Sequence, residues 1–100
     1  MGKKMNETQK TISKWLDKTV GMQSIDNQIM KLRREVEEFF TACENHDLDN
    51  MREELVDINI VSQTIATLLG MRMVQARNEK MKVNRARTWQ TMEDGEIRHV

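Results

Sequence analysis

Two pairs of carboxylates stand at helical spacing in the middle of the sequence and could hold a metal ion. Glu35 and Glu38 form the first pair, and Glu54 and Asp57 repeat the same interval. Residues three apart lie close together on one face of a helix. Carboxylates beside an apolar seam lose hydration and repel one another, so they need a positive partner. A hard divalent cation meets that need, because Mg²⁺ takes oxygen ligands and commonly bridges them to a phosphate.

The same acids also have an ordinary interpretation as surface residues that pair with arginines. Arg33, Arg34 and Arg52 are near enough in sequence to neutralise them. One pair of acids three residues apart is common on helices, whereas two such pairs that border apolar stripes on neighbouring helices are much less common. Spacing alone therefore leaves metal binding and salt-bridged acids both open.

Hydrophobic periodicity predicts four helices that would carry these residues. The chain has no proline, and 32% of its residues are charged, a composition typical of helical proteins. Apolar residues recur every three to four positions within about 6–20, 25–43, 47–69 and 71–89. The predicted fold is all-α, with a polar turn at 44–47 between two antiparallel helices.

The sequence indicates one domain that a second copy of the chain would complete. We expect residues 1–90 to form this domain and residues 91–100, which lack periodicity, to form a loose C-terminal tail. The third helix adds Val56 and Ile60 to its apolar stripe, which is wide enough to need burial on more than one side. A chain of 100 residues buries only a modest core, which also favours an oligomer.

Charge is distributed unevenly although the formal net charge is zero. Residues 24–60 contain ten acids and four bases, and residues 71–90 contain six bases and one acid. The acidic segment could hold a metal and the basic one an anion, or the two could simply pair with each other. The basic helix lacks interleaved aromatics, so we do not expect nucleic-acid binding. No apolar run approaches the roughly 18 residues of a membrane span, and the lone Cys43 favours a cytoplasmic location.

Three elements in order resemble the signature of MazG-like all-α nucleoside triphosphate pyrophosphohydrolases. Residues 35–38 and 54–57 resemble the ExxE and ExxD motifs of that family. The family pattern often begins with a further glutamate, and Arg34 stands at that position here. Residues 80–89 are similar to the downstream K…N..R.W element.

The resemblance implies a Mg²⁺-dependent pyrophosphohydrolase, with Mn²⁺ as an alternative metal. Such an enzyme cleaves a nucleoside triphosphate between the α and β phosphates, giving the monophosphate and pyrophosphate, and could serve in nucleotide-pool housecleaning. The implied architecture is a four-helix MazG-like bundle, assembled as a homodimer or homotetramer whose pocket is lined by more than one chain. The implied metal-binding and catalytic residues are Glu35, Glu38, Glu54 and Asp57, and the implied phosphate or sugar contacts are Lys80, Asn84 and Arg87. The general base and the preferred nucleobase stay open.

Trp15 is a further candidate for substrate binding, because a flat apolar ring suits a nucleobase. It could equally pack the first helix onto the bundle, just as the basic residues of the fourth helix could form an ordinary solvated face. The alternative function is a non-enzymatic oligomeric helical interaction module. That alternative explains the wide apolar stripe of the third helix but not the acid pairs beside the seam.

Overall fold

The computed structural model describes residues 6–100, so the first five residues of the predicted 1–90 domain lie outside the described part. Four α-helices are followed by a two-stranded antiparallel hairpin. The elements are α1 (Gln9–Val20), α2 (Ile25–Glu44), α3 (Leu48–Leu68), α4 (Met73–Ala86), β1 (Trp89–Thr91) and β2 (Ile97–His99). The prediction of a helical fold with four helices is confirmed, and every helix end lies within three residues of its predicted position.

Polar caps and one glycine set the helix boundaries on which the site depends. Ser24 caps α2 and Asp47 caps α3, each accepting a hydrogen bond from the backbone N–H three residues later, at 3.1 and 3.2 Å. Thr8 caps α1 in a reciprocal capping box. Gly21 ends α1 with φ at 85°, a left-handed conformation that side chains resist.

α3 is the central helix, packed against α2 along most of its length and against α1 towards its C-terminal end. The buried apolar residues of the described chain are small, namely Ala42, Val61 and Ala66. Small residues at a helix contact let two backbones approach closely. No large side chain in residues 6–100 is fully buried, so the core of one chain is thin.

α4 lies at the periphery and is joined to the other helices mainly through Gln9. The Gln9 amide nitrogen donates to Thr67 Oγ1 at 3.1 Å and to the Met71 carbonyl at 2.7 Å. Its amide oxygen accepts from the Met73 N–H at 2.8 Å. Within the described residues α4 does not pack along the body of α1, α2 or α3, so a single chain forms a three-helix bundle with a projecting fourth helix.

The prediction of a loose tail for residues 91–100 was wrong, because most of them belong to the hairpin. Trp89 pairs with His99 across the two strands, and their rings meet edge to face at 5.9 Å. The indole Nε1 of Trp89 donates to the Asn84 carbonyl at 2.7 Å, which ties the hairpin to the end of α4. The Asp94-Gly95 dipeptide at the turn is a recognised hairpin signal that helical periodicity does not detect.

The chain is less compact than its length predicts. Its radius of gyration is 16.7 Å, whereas about 13 Å is expected for a compact domain of this length. Several large apolar residues stay exposed, among them Leu55 and Val56 of α3, each with 58% of its surface accessible. None of the described helices is both long enough and apolar enough to cross a membrane.

Candidate active site

Three of the four predicted carboxylates converge where α2 and α3 run antiparallel across their short turn. Glu35 and Glu38 come from successive turns of α2, and Glu54 faces them from α3. One carboxylate oxygen from each residue lies within 4.8 Å of the other two. We call Glu35, Glu38 and Glu54 the acid cluster.

Burial within the acid cluster is graded from inside to outside. Glu35 is buried, with 8% of its surface accessible, Glu54 is half-buried and Glu38 is exposed. The Oε2 atom of Glu54 is inaccessible and has no hydrogen-bond partner in the part of the chain that the structure describes. A buried polar atom without a partner is costly, so this oxygen needs a proton or a cation that the protein itself does not supply.

The pKa of Glu54 is raised from 4.5 to about 7. The main cause is the hydrogen bond that a protonated Glu54 makes to Glu35, followed by burial and then by the negative charges of Glu38 and Glu35. Proton sharing therefore relieves the repulsion in the chain alone. A divalent cation would relieve it more completely, because it stabilises all three carboxylates in their charged form.

The alternative of salt-bridged acids is not supported for the acid cluster. Arg52 lies 3.5 Å from Asp49, and the other ion pairs of residues 6–100 are Lys82 with Glu79 and Arg98 with Glu96. No lysine or arginine nitrogen of the described chain comes within 4.0 Å of the three clustered carboxylates. The described residues therefore supply no counter-ion to the charge of the acid cluster.

The donor set fits a hard divalent cation. All three side chains offer oxygen, the ligand that Mg²⁺ and Mn²⁺ prefer over the nitrogen and sulfur typical of zinc sites. The unpartnered Oε2 of Glu54 supplies a coordination position that no hydrogen-bond donor of the described chain occupies. Glu38 lies on the solvent side, where a ligand could reach the ion.

The fourth predicted ligand, Asp57, is not part of this convergence. It lies one turn beyond Glu54 on α3 and is exposed. It contributes no oxygen to the set of carboxylate oxygens that lie within 4.8 Å of one another. Because residues three apart lie on neighbouring positions of a helix, Asp57 borders the acid cluster without closing on it.

The predicted phosphate-binding residues lie away from the acid cluster in the single chain. Lys80 is exposed on α4, and Arg87 is exposed just beyond the end of that helix. Asn84 is half-buried, and its amide oxygen is inaccessible and has no partner. None of the three lines the cavity that opens beside Glu38 and Glu54.

Trp15 is not a core residue of the single chain, since 59% of its surface is accessible. It lies on α1, outside the residues that line the cavity beside the acids. The structure therefore leaves its ring available for contact with a ligand or with another chain.

A cavity of about 430 Å³ opens beside the acid cluster and extends towards the turn between α2 and α3. Glu38 and Glu54 line it, and Arg34, Asn45 and Asn50 are among its other lining residues. Sequence reasoning treated Arg34 only as a counter-ion or a departure from the family pattern, and it did not select the two asparagines. Their positions in the sequence could have indicated them, because Arg34 precedes Glu38 by one helical turn, Asn45 lies within the predicted turn at 44–47 and Asn50 follows that turn.

The fold and the acid cluster together define a class, that of helical proteins which hold a divalent metal between carboxylates of two antiparallel helices. A profile of the dATP/dGTP pyrophosphohydrolases matches residues 8–100. The chain therefore belongs to the dATP/dGTP pyrophosphohydrolase family, whose members are hydrolases that act on phosphoanhydride bonds. The predicted resemblance of the chain to MazG-like pyrophosphohydrolases is confirmed.

Individual relatives agree with this assignment. A dATP/dGTP diphosphohydrolase of Salmonella phage PMBT28 is 38% identical over 94% of the chain, which spans 31% of that relative's length. A dATP/dGTP diphosphohydrolase of cyanophage S-2L is 31% identical over 94% of the chain and 86% of the relative. The solved structure of the cyanophage S-2L MazG-like pyrophosphohydrolase, bound to dGDP and three catalytic Mn²⁺ ions per active site, superposes with a TM-score of 0.74 at 30% identity, covering 92% of each chain.

Proposed function

We propose that this chain hydrolyses dATP and dGTP to the monophosphate and pyrophosphate with a divalent metal, Mg²⁺ or Mn²⁺, held by Glu35, Glu38, Glu54 and Asp57. The observation that carries the proposal is the convergence of three carboxylates to which residues 6–100 supply no counter-ion. The names of the two phage relatives support the purine substrates, and the Mn²⁺ ions of the cyanophage structure support the metal. Such hydrolysis would remove purine deoxynucleotides from the nucleotide pool.

The graded burial of the acid cluster suits different tasks for its members. Glu35, held inside the seam, would fix the position of the metal, while Glu38 at the surface would face the incoming substrate. Asp57 would join the set from the next turn of α3, since it follows Glu54 by three residues. Bound there, a divalent ion would polarise a phosphoryl oxygen and lower the pKa of a coordinated water.

A carboxylate that the metal does not fully engage would orient the attacking water and accept its proton. The partial exposure of the acid cluster gives water access to this position. The electron pair of the broken Pα–O bond leaves with pyrophosphate, and the water oxygen stays on the monophosphate. Asp57 and Glu38 are the two candidates for the base, because both are exposed while Glu35 is buried.

The remaining contacts would come from an assembly of chains. We propose a homodimer or homotetramer in which Lys80, Asn84 and Arg87 of one chain reach the triphosphate or sugar bound by another. This arrangement is supported by the projection of α4 away from its own bundle and by the exposed cations that it carries. Trp15 would stack on the base, for which its exposed ring is suited.

The decisive experiment is a screen of deoxynucleoside and ribonucleoside triphosphates with Mg²⁺ or Mn²⁺, in which pyrophosphate and phosphate are measured separately. We expect pyrophosphate from dATP and dGTP and none in the presence of EDTA. Release of phosphate instead would place cleavage at the terminal bond, and no turnover with any nucleotide would favour the non-enzymatic interaction module.

A further inference from the structure

The cavity beside the acid cluster contains one cationic side chain, and the proposed reaction gives it no task. Arg34 lies on the α2 wall of this cavity, one turn before Glu38. The cavity is lined by Glu38 and Glu54, by Arg34 one helical turn before Glu38, and by Asn45 and Asn50 on the side of the α2–α3 turn. A group bound at the acid cluster therefore lies in a polar cavity with hydrogen-bond donors at Arg34 on one side and at the asparagine amides on the other.

The guanidinium of Arg34 is not engaged by the acids around it. Glu37 and Glu38 follow at three and four residues, the spacings at which helical side chains commonly pair. No carboxylate oxygen of the described chain nevertheless lies within 4.0 Å of a side-chain nitrogen of Arg34. The arginine is exposed and keeps its donors available for a ligand.

The charges of the cavity specify what this ligand would be. Four carboxylates and one guanidinium face it, so without a metal it repels anions. Divalent cations at the acid cluster invert the local field, and a polyphosphate can then enter. Among residues 6–100, Arg34 is the one cationic residue that lines this cavity, and its planar fork matches two phosphate oxygens at once.

We infer that Arg34 binds the β and γ phosphates of the substrate and stabilises pyrophosphate as it leaves. The inference rests on the proposed hydrolysis, which places the α phosphate at the acid cluster. When the bond between Pα and the bridging oxygen breaks, that oxygen keeps the electron pair and becomes part of pyrophosphate. Arg34 donates hydrogen bonds to the resulting anion and so stabilises the leaving group.

The test uses inorganic pyrophosphate as the probe, with Mn²⁺ at saturating concentration and binding measured by calorimetry. Arg34→Gln should weaken pyrophosphate binding by about tenfold or more, because a charge-assisted bidentate contact is lost. The pyrophosphate affinity of Arg34→Lys should lie between that of Arg34→Gln and that of the unmodified chain, since lysine keeps the charge but lacks the two-pronged guanidinium. Arg33→Gln is the matched control, because Arg33 is the adjacent exposed arginine and does not line this cavity.

Kinetics and metal binding separate this inference from the proposed function. Arg34→Gln should raise KM for dGTP while Mn²⁺ alone binds it at least as tightly as it binds the unmodified chain, since a nearby positive charge has been removed. Equal pyrophosphate affinity in Arg34→Gln and the unmodified chain, or equal weakening in Arg33→Gln, would overturn the role of Arg34. An unmodified chain that binds pyrophosphate through Arg34 but turns over no nucleotide would instead overturn the hydrolysis and leave the phosphate site standing.

Discussion

The proposed ligand role of Glu54 would couple metal binding to pH through a single side chain. Its pKa of about 7 means that, without metal, the group is largely protonated in mildly acidic solution. A metal ligand must be deprotonated, so binding has to displace this proton. The residue therefore links the electrostatics of the acid cluster to a measurable pH dependence.

We expect Mn²⁺ affinity to rise with pH and to level off above about pH 7, as Glu54 loses its proton. At pH 6, calorimetry in buffers of different ionisation enthalpy should detect the release of a proton on binding. Glu53→Gln is the control, since this neighbouring glutamate is exposed and lies outside the acid cluster. An affinity that does not change between pH 5.5 and pH 8 would contradict the proposed ligand role of Glu54.

The same pKa predicts the sign of a stability change in the chain without metal. Between about pH 4.5 and 7 folded Glu54 holds a proton that the unfolded chain has released, so its stabilising contribution is lost as pH rises through 7. In EDTA, the melting temperature of the unmodified chain should therefore fall relative to that of Glu54→Gln as pH is raised from 5.5 to 8. The prediction fails if the difference in melting temperature between the two chains is constant over this pH range.

Glu38→Gln and Asp57→Asn test the acids at the exposed side of the site. Each change removes a negative charge with little change of volume, so helical content measured by circular dichroism should be preserved. We expect turnover of dATP and dGTP to fall by about 100-fold or more, because a metal ligand or general base is lost. Near-normal turnover in both variants would exclude these residues from the catalytic site.

At the scale of elements, the helices and the acid motifs could be predicted from sequence because both depend on local spacing. The polar turn at 44–47, where Asp47 caps α3, sets the antiparallel approach of α2 and α3, so Glu35 and Glu54 could be expected near one another. Periodicity did not reveal that α4 would project or that Trp89 would begin a strand. Those outcomes depend on contacts between elements and on turn chemistry, which a helical pattern does not encode.

The junction of α1, α3 and α4 depends on the side chain of Gln9, and its removal should weaken the chain. Gln9→Ala loses three hydrogen bonds of 2.7 to 3.1 Å to groups on α3 and at the start of α4. Since such bonds contribute about 1 kcal/mol each and leave unpaired groups when broken, we expect about 1–3 kcal/mol less stability in urea unfolding. Lys10→Ala, at the exposed next position, should change stability far less. Equal losses of stability in Gln9→Ala and Lys10→Ala would show that the side chain of Gln9 does not hold this junction together.

At the scale of the whole molecule, one chain has a thin core, and its basic α4 does not pack along the helices that carry the acid cluster. Only small apolar residues are buried in the described chain, while Leu55 and Val56 of the central helix are exposed. The radius of gyration exceeds that of a compact domain because α4 and the hairpin extend from the bundle. Association of chains would bury the apolar face of α3 and could bring the basic α4 of one copy to the acids of another.

Val56→Glu tests whether this face is where the chains meet. Light scattering coupled to size exclusion should show a dimer or tetramer for the unmodified chain and a smaller species for the variant, because burying the new carboxylate would be costly. Met22→Glu, on an exposed connection with 89% of its surface accessible, is the control and should keep the assembly. If Lys80, Asn84 and Arg87 act across chains, Val56→Glu should also lose hydrolysis while retaining Mn²⁺ binding at its own acid cluster. A fully active monomer would show that the site needs no second chain and that the projecting α4 serves another purpose.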